Sequence, residues 1–161
     1  MKLKDGFPLI KIKINNEYYD FIVDTGADRT TIGKNIATKN NIVYDNKEKF
    51  SSTPIGDYIT TYSAFMPELD LEQIKIYNYP IDVNSNDAIK MKLLFITLFK
   101  CDGIIGWDLL CKFDFTIDYK NKQLILRKPI EKNIEHKNLF WYQIPIVKFY
   151  SRNNYPLLFF F

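Results

Sequence analysis

The residues best suited to chemistry in this sequence are Asp24, Thr25, Gly26, Ala27 and Asp28, which follow directly on the large apolar side chains Phe21, Ile22 and Val23. Such an order brings a buried strand into a tight turn and leaves a carboxylate at its end. Burial penalises the charged form of a carboxylate, so Asp24 is expected to be neutralised, well hydrogen-bonded or functional, and the functional reading ranks first. A second glycine-centred run, Ile104, Ile105 and Gly106 followed by Asp108, Leu109 and Leu110, lies much further along the chain. Other chemistries fare worse. His136 is the single histidine and sits in a charged stretch, which argues against a nucleophile–histidine pair or a histidine metal site. Cys101 and Cys111 form no CxxC and read as reduced core residues, so no metal site is expected. No phosphate-binding glycine loop is present.

The elements that must position these residues are short and β-prone. Of the 161 residues, 47% are apolar and 16% aromatic, enough for one core, and the Ile, Tyr and Phe content favours strands. Residues 8–14 alternate, with Ile10, Ile12 and Ile14 on one face and Lys11 and Lys13 on the other. Asn15 and Asn16 suit a two-residue turn, after which residues 17–23 return as the partner strand ending at Asp24. Residues 30–32 read as a short strand and 33–40 as a short helical or irregular connection. Residues 50–66 read as a hairpin with an exposed tip at Pro54, Ile55, Gly56 and Asp57. Residues 69–76 and 79–83 read as two strands turning at Tyr77 and Asn78. The apolar run 89–100 fits either a buried strand or a helix. A short strand at 103–105 passes into one or two helical turns, and 113–118 with 123–126 makes a hairpin. The succession of short strands predicts an all-β fold, a barrel or sandwich.

The tail echoes the start. Pro145, Ile146, Val147, Lys148 and Phe149 follow the pattern of residues 8–12, and Asn153, Asn154 and Tyr155 that of Asn15, Asn16 and Glu17. A polar stretch with Pro129 precedes them. The expected organisation is a lobe at 1–128, a linker at 129–138, and a β-hairpin tail at 139–161 that resembles the start of a second, incomplete lobe. The aromatic groups at 140–142 and 159–161 read as core or interface rather than a base-stacking platform.

With Asp24, Thr25, Gly26 and Ala27 after an apolar strand, Ile104, Ile105 and Gly106 later, and a hairpin between them, the chain resembles the retropepsin-like aspartic proteases over residues 8–128. That likeness implies a pepsin/retropepsin-like closed β-barrel lobe with a flap hairpin and one short helix. It implies hydrolysis of peptide bonds by a water held between two carboxylates, one acting as base and the other as acid. Asp24 would be the catalytic group and Thr25, Gly26 and Ala27 its support. Asp28, Arg29, Ile55, Gly56 and Tyr58 would contact substrate, and Ile104, Ile105 and Gly106 would pack beneath the loop. No cofactor is implied. Ala27 stands where many two-lobed relatives carry serine, which implies a milder working pH, and a profile peaking below about 3.5 would count against it. Where retroviral enzymes follow the glycine with an arginine that pairs with the acid equivalent to Asp28, this chain has Trp107. Asp28 therefore lacks its expected partner, and Arg29 is free to face the cleft.

A single Asp-Thr-Gly requires a second. Asp102, Asp108, Asp114 and Asp118 read as turn, cap or strand positions rather than as the missing acid. The partner expected is a second copy of the chain, with identical loops meeting on a twofold axis, or a missing second lobe. The alternatives are a non-catalytic peptide-binding or dimerisation module, or an inactive fragment of a two-lobe protease. The expected ligand is a peptide or protein, in a cleft with apolar walls. A net charge of +3 with scattered lysines does not point to nucleic acid. With no signal-like segment and no apolar run long enough to cross a membrane, a soluble cytoplasmic protein is expected.

Overall fold

The computed structural model describes residues 1–52, 58–86, 89–93, 96–129, 139–142, 144–150 and 156–160. In chain order the elements are β1 (Lys2–Lys4), β2 (Phe7–Ile14), β3 (Glu17–Val23), β4 (Thr31–Gly33), α1 (Lys34–Lys39), β5 (Lys49–Ser52), β6 (Tyr58–Asp70), β7 (Lys75–Asn84), β8 (Ile89–Leu93) and β9 (Ile96–Cys101). There follow β10 (Gly103–Ile105), α2 (Trp107–Leu110), β11 (Asp114–Asp118), β12 (Gln123–Arg127), β13 (Leu139–Tyr142), β14 (Ile144–Tyr150) and β15 (Pro156–Phe160). The all-β class expected from the sequence is what the chain adopts, with a short helix at both 34–39 and 107–110 where the family likeness implied one.

The main sheet runs β1-β2-β3-β10-β4-β7-β6-β5, and the pairing Lys13↔Asp70 joins β2 back to β6. The sheet thereby curls into a ring around Ile12, Phe21, Ile32, Met66, Leu69 and Ile81, all fully buried. Asn15 and Asn16 make the β2–β3 turn with φ of 47° and 70°, left-handed values that asparagine tolerates better than most residues. At its end β3 is covered on both faces. Phe21 and Val23 enter the main core, while Ile22 joins Leu9, Ile89 and Cys101 in a second cluster. That double coverage explains why the run ahead of Asp24 is continuously apolar instead of alternating.

Two segments differ from the sequence reading. Tyr77 and Asn78 do not form a turn. The β6–β7 pairing keeps one register from Thr61↔Asn84 to Asp70↔Lys75, skipping only Pro67 and Asn78, and the reversal comes at residues 71–74, where the Leu71 N–H donates to the Ile74 carbonyl. Asn78, at φ 51°, lies opposite Pro67, which has no N–H to give to the ladder. A residue fit for a turn here absorbs a local break inside a strand. The ambiguous run 89–100 is a hairpin, β8 against β9.

The third sheet, β13-β14-β15, reproduces the pairing of β1-β2-β3. Phe140↔Ile146, Trp141↔Pro145 and Tyr142↔Ile144 stand where Lys2↔Leu9, Leu3↔Pro8 and Lys4↔Phe7 stand in the first meander. Ile146↔Phe160 through Tyr150↔Pro156 likewise match Leu9↔Ile22 through Lys13↔Tyr18. The expected linker lies almost wholly outside the described residues. Among the described residues no helix is long and apolar enough to cross a membrane.

Candidate active site

β3 and β4 follow one another in sequence yet do not pair, because β10 lies between them, parallel to β3 and antiparallel to β4. The connection, residues 24–30, must therefore arch over the end of β10, and the backbone fastens it there. The Asp24 N–H donates to the Ile105 carbonyl at 3.0 Å, and the Trp107 N–H donates to the Ala27 carbonyl at 2.7 Å. Two glycines permit this closeness. A Cβ on Gly103 would lie 2.2 Å from the Phe21 ring, and one on Gly106 would lie 2.6 Å from the Arg29 carbonyl carbon.

Asp24 sits half-buried at the end of three buried residues. Its Oδ1 accepts from the Gly26 N–H at 2.9 Å, which fixes the carboxylate in the plane of its own turn. The Thr25 side chain is half-buried, and its hydroxyl has no hydrogen-bond partner among the described residues. Gly26 and Asp28 are exposed. Ile104 is half-buried and packs against the second cluster, whereas Ile105 faces the main core. Gly106 donates its N–H to the Thr30 hydroxyl at 3.2 Å.

The far end of the loop is held by a carboxylate. Asp108, in the first turn of α2, accepts on Oδ1 from both the N–H and the hydroxyl of Thr30, each at 2.8 Å. Arg29 Nη1 stands 3.8 Å from its Oδ2. Arg29 is thus turned toward α2, and the charges of the retroviral pair are exchanged, with the cation on the loop and the acid after the glycine. Trp107, in the arginine's place, is buried and meets Phe115 edge to face at 6.0 Å. Burial, and then the nearby Asp108 carboxylate, pushes the Tyr79 hydroxyl well above its ordinary range. Asp102 is also structural, accepting from the Asp20 N–H at 2.8 Å, and Asp118 closes a turn by accepting from Asn121.

The hairpin expected as a flap is β5–β6, paired from Lys49↔Thr61 to Ser52↔Tyr58. Tyr58 is 78% exposed at its outer end. Ile55 and Gly56, assigned to the tip, lie outside the described residues. Sequence reasoning missed Thr30, whose partner is remote in the chain, and it missed Asp82. That second residue carried a signal, since a carboxylate between Ile81 and Val83 repeats the logic that singled out Asp24.

The model of the gag-polyprotein putative aspartyl protease family matches residues 10–110, most of the main sheet and both glycine motifs. The chain belongs to that family. Among solved structures, this family member resembles a retropepsin-like aspartic protease from Rickettsia conorii, with a TM-score of 0.52 and 25% identity over 78% of this chain and 92% of that one. In fold alone it also resembles the retroviral protease-like domain of Ddi1 from Leishmania major, with a TM-score of 0.53 and 18% identity over 83% of this chain and 100% of that one. No curated protein matches in sequence.

Proposed function

We propose that this aspartic protease homologue is an endopeptidase whose catalytic unit is two Asp24 loops, one from each of two copies of the chain. A lone carboxylate at the start of the loop lacks the second group that acid–base hydrolysis needs, and a twofold axis supplies an identical one. One Asp24 would be ionised and take a proton from the attacking water while the other, protonated, hydrogen-bonds the scissile carbonyl. Thr25 would spend its hydroxyl on the facing loop, Gly26 and Ala27 would allow that approach, and Asp28, Arg29, Ile55, Gly56 and Tyr58 would border the peptide. The supporting observation is that Asp24 is left half-open on a loop whose two flanks are otherwise pinned to β10 and α2. Peptide cleavage lost in Asp24→Asn, with the thermal midpoint unchanged, would uphold this reading; cleavage that survives the substitution would refute it.

The matched registers of β1–β3 and β13–β15 favour a second source for the facing carboxylate. In that version residues 139–161 open a further lobe like 1–128 within a longer chain, and that longer chain holds both halves of the site. Native mass separates the two, because the first requires an active dimer and the second an active monomer.

A further inference from the structure

Along β7 the side chains of Tyr79, Ile81 and Val83 enter the main core, so Asp82 and Asn84 point to the opposite face. Both are only 4% exposed. Cross-strand pairing extends a polar surface from them: Thr31 and Ser63 flank Asp82, while Thr61, 3% exposed, and Lys49 continue the row from Asn84. An apolar cleft wall was expected from the sequence, yet this face joins the Asp24 loop to the flap hairpin. The Asp82 N–H donates to the Thr30 carbonyl at 3.0 Å, and Lys49 opens β5.

Asp82 is short of partners. No hydrogen-bond donor among the described residues reaches its buried Oδ1, and Lys49 Nζ stands 3.8 Å away on a half-exposed side chain. Burial raises its pKa; Lys49 and Arg29 oppose the rise, and Asp28 and Asp108 add to it. Arg29 stands against Asp108, so Lys49 is the one cation paired with Asp82 among the described residues. Among the described residues no group of side chains is gathered to hold a metal ion. A buried carboxylate in such surroundings is completed by a cation that brings its own N–H donors.

We propose that Asp82 is a specificity-determining residue that accepts hydrogen bonds from a lysine or arginine side chain of the bound peptide, with Lys49 as the internal cation it displaces. This rests on the peptidase reading, and the test separates the two. Matched peptides carrying Lys, Leu or Glu near a non-cleavable statine-type unit are titrated calorimetrically into the Asp24→Asn protein, which needs no catalysis to report. The expected result is a preference for Lys over Leu of about tenfold or more that collapses in Asp24→Asn/Asp82→Asn. The same preference should grow in Asp24→Asn/Lys49→Met, a change at a half-exposed side chain. Equal affinity for Lys and Leu peptides, no measurable binding, or a preference indifferent to Asp82 would each overturn the proposal. Binding with this preference but no cleavage by the native chain would instead refute the peptidase reading and leave the Asp82 site standing.

Discussion

Asp24 and Asp108 leave the same ends of two adjacent parallel strands, one directly after β3 and the other a few residues after β10. Their surroundings could hardly differ more. Asp108 directs one oxygen to two donors of Thr30 and the other toward Arg29. Among the described residues Asp24 accepts only from its own turn, and it is half-open. The contrast shows how a fold separates an acid that holds a loop from an acid that the loop presents. Stability should depend on the first and activity on the second.

The largest expected effect tests that separation directly. Asp24→Asn should lower peptide turnover by about 10³-fold or more, since it removes the acid–base group, while stability changes by less than about 0.5 kcal/mol. Steady-state kinetics and denaturant unfolding on one preparation would check both halves. Asp108→Ala should do the converse in kind. It strands the Thr30 N–H and hydroxyl and leaves Arg29 unpaired, so unfolding should become easier by about 2–4 kcal/mol, and Asp108→Asn should recover part of this through its amide oxygen. Loss of activity in Asp108→Asn with full stability would break the comparison.

Gly106→Ala sharpens it from the backbone side. Its Cβ would press on the Arg29 carbonyl, which cannot swing away as a side chain can, and a cost of about 1–3 kcal/mol is expected by the same unfolding measurement. The smallest effect concerns pH. Burial, reinforced by the Asp102 charge, pushes the Cys101 thiol up to about 12 from an ordinary value of 9.0. A thiol whose folded pKa is raised favours the fold while protonated, so its contribution is intact below pH 9.0 and is lost as pH rises toward about 12. Cys101→Ala should flatten that alkaline decline in unfolding curves, and exposed Cys111 should label with a thiol reagent long before Cys101 does.

Much of this was legible in the sequence where a residue's local preference and its tertiary use agree. Asn15 and Asn16 form the turn their backbone tolerance suggests, and the continuous apolar run before Asp24 is a strand covered on both faces. Asn78 carries the same local signal, but the β6–β7 pairing on either side outweighs it, so the left-handed residue becomes a break opposite Pro67. The Arg29–Asp108 pair was hidden for another reason. Only the crossing of β3, β10 and β4 brings those residues together, and local patterning is silent about such contacts. Asp82 was legible in kind, as a carboxylate among β-branched neighbours, but its closeness to the Asp24 loop follows from the β4–β7 register alone.

The claim that matters most is that Asp24 works only opposite another Asp24. Native chains and Asp24→Asn chains can be unfolded together and refolded at varying ratios, with total protein held constant and peptide cleavage measured. If each active unit needs two intact copies, activity should fall with the square of the native fraction. A fall in direct proportion to that fraction would contradict the account, because it would mean that each chain carries a complete site of its own.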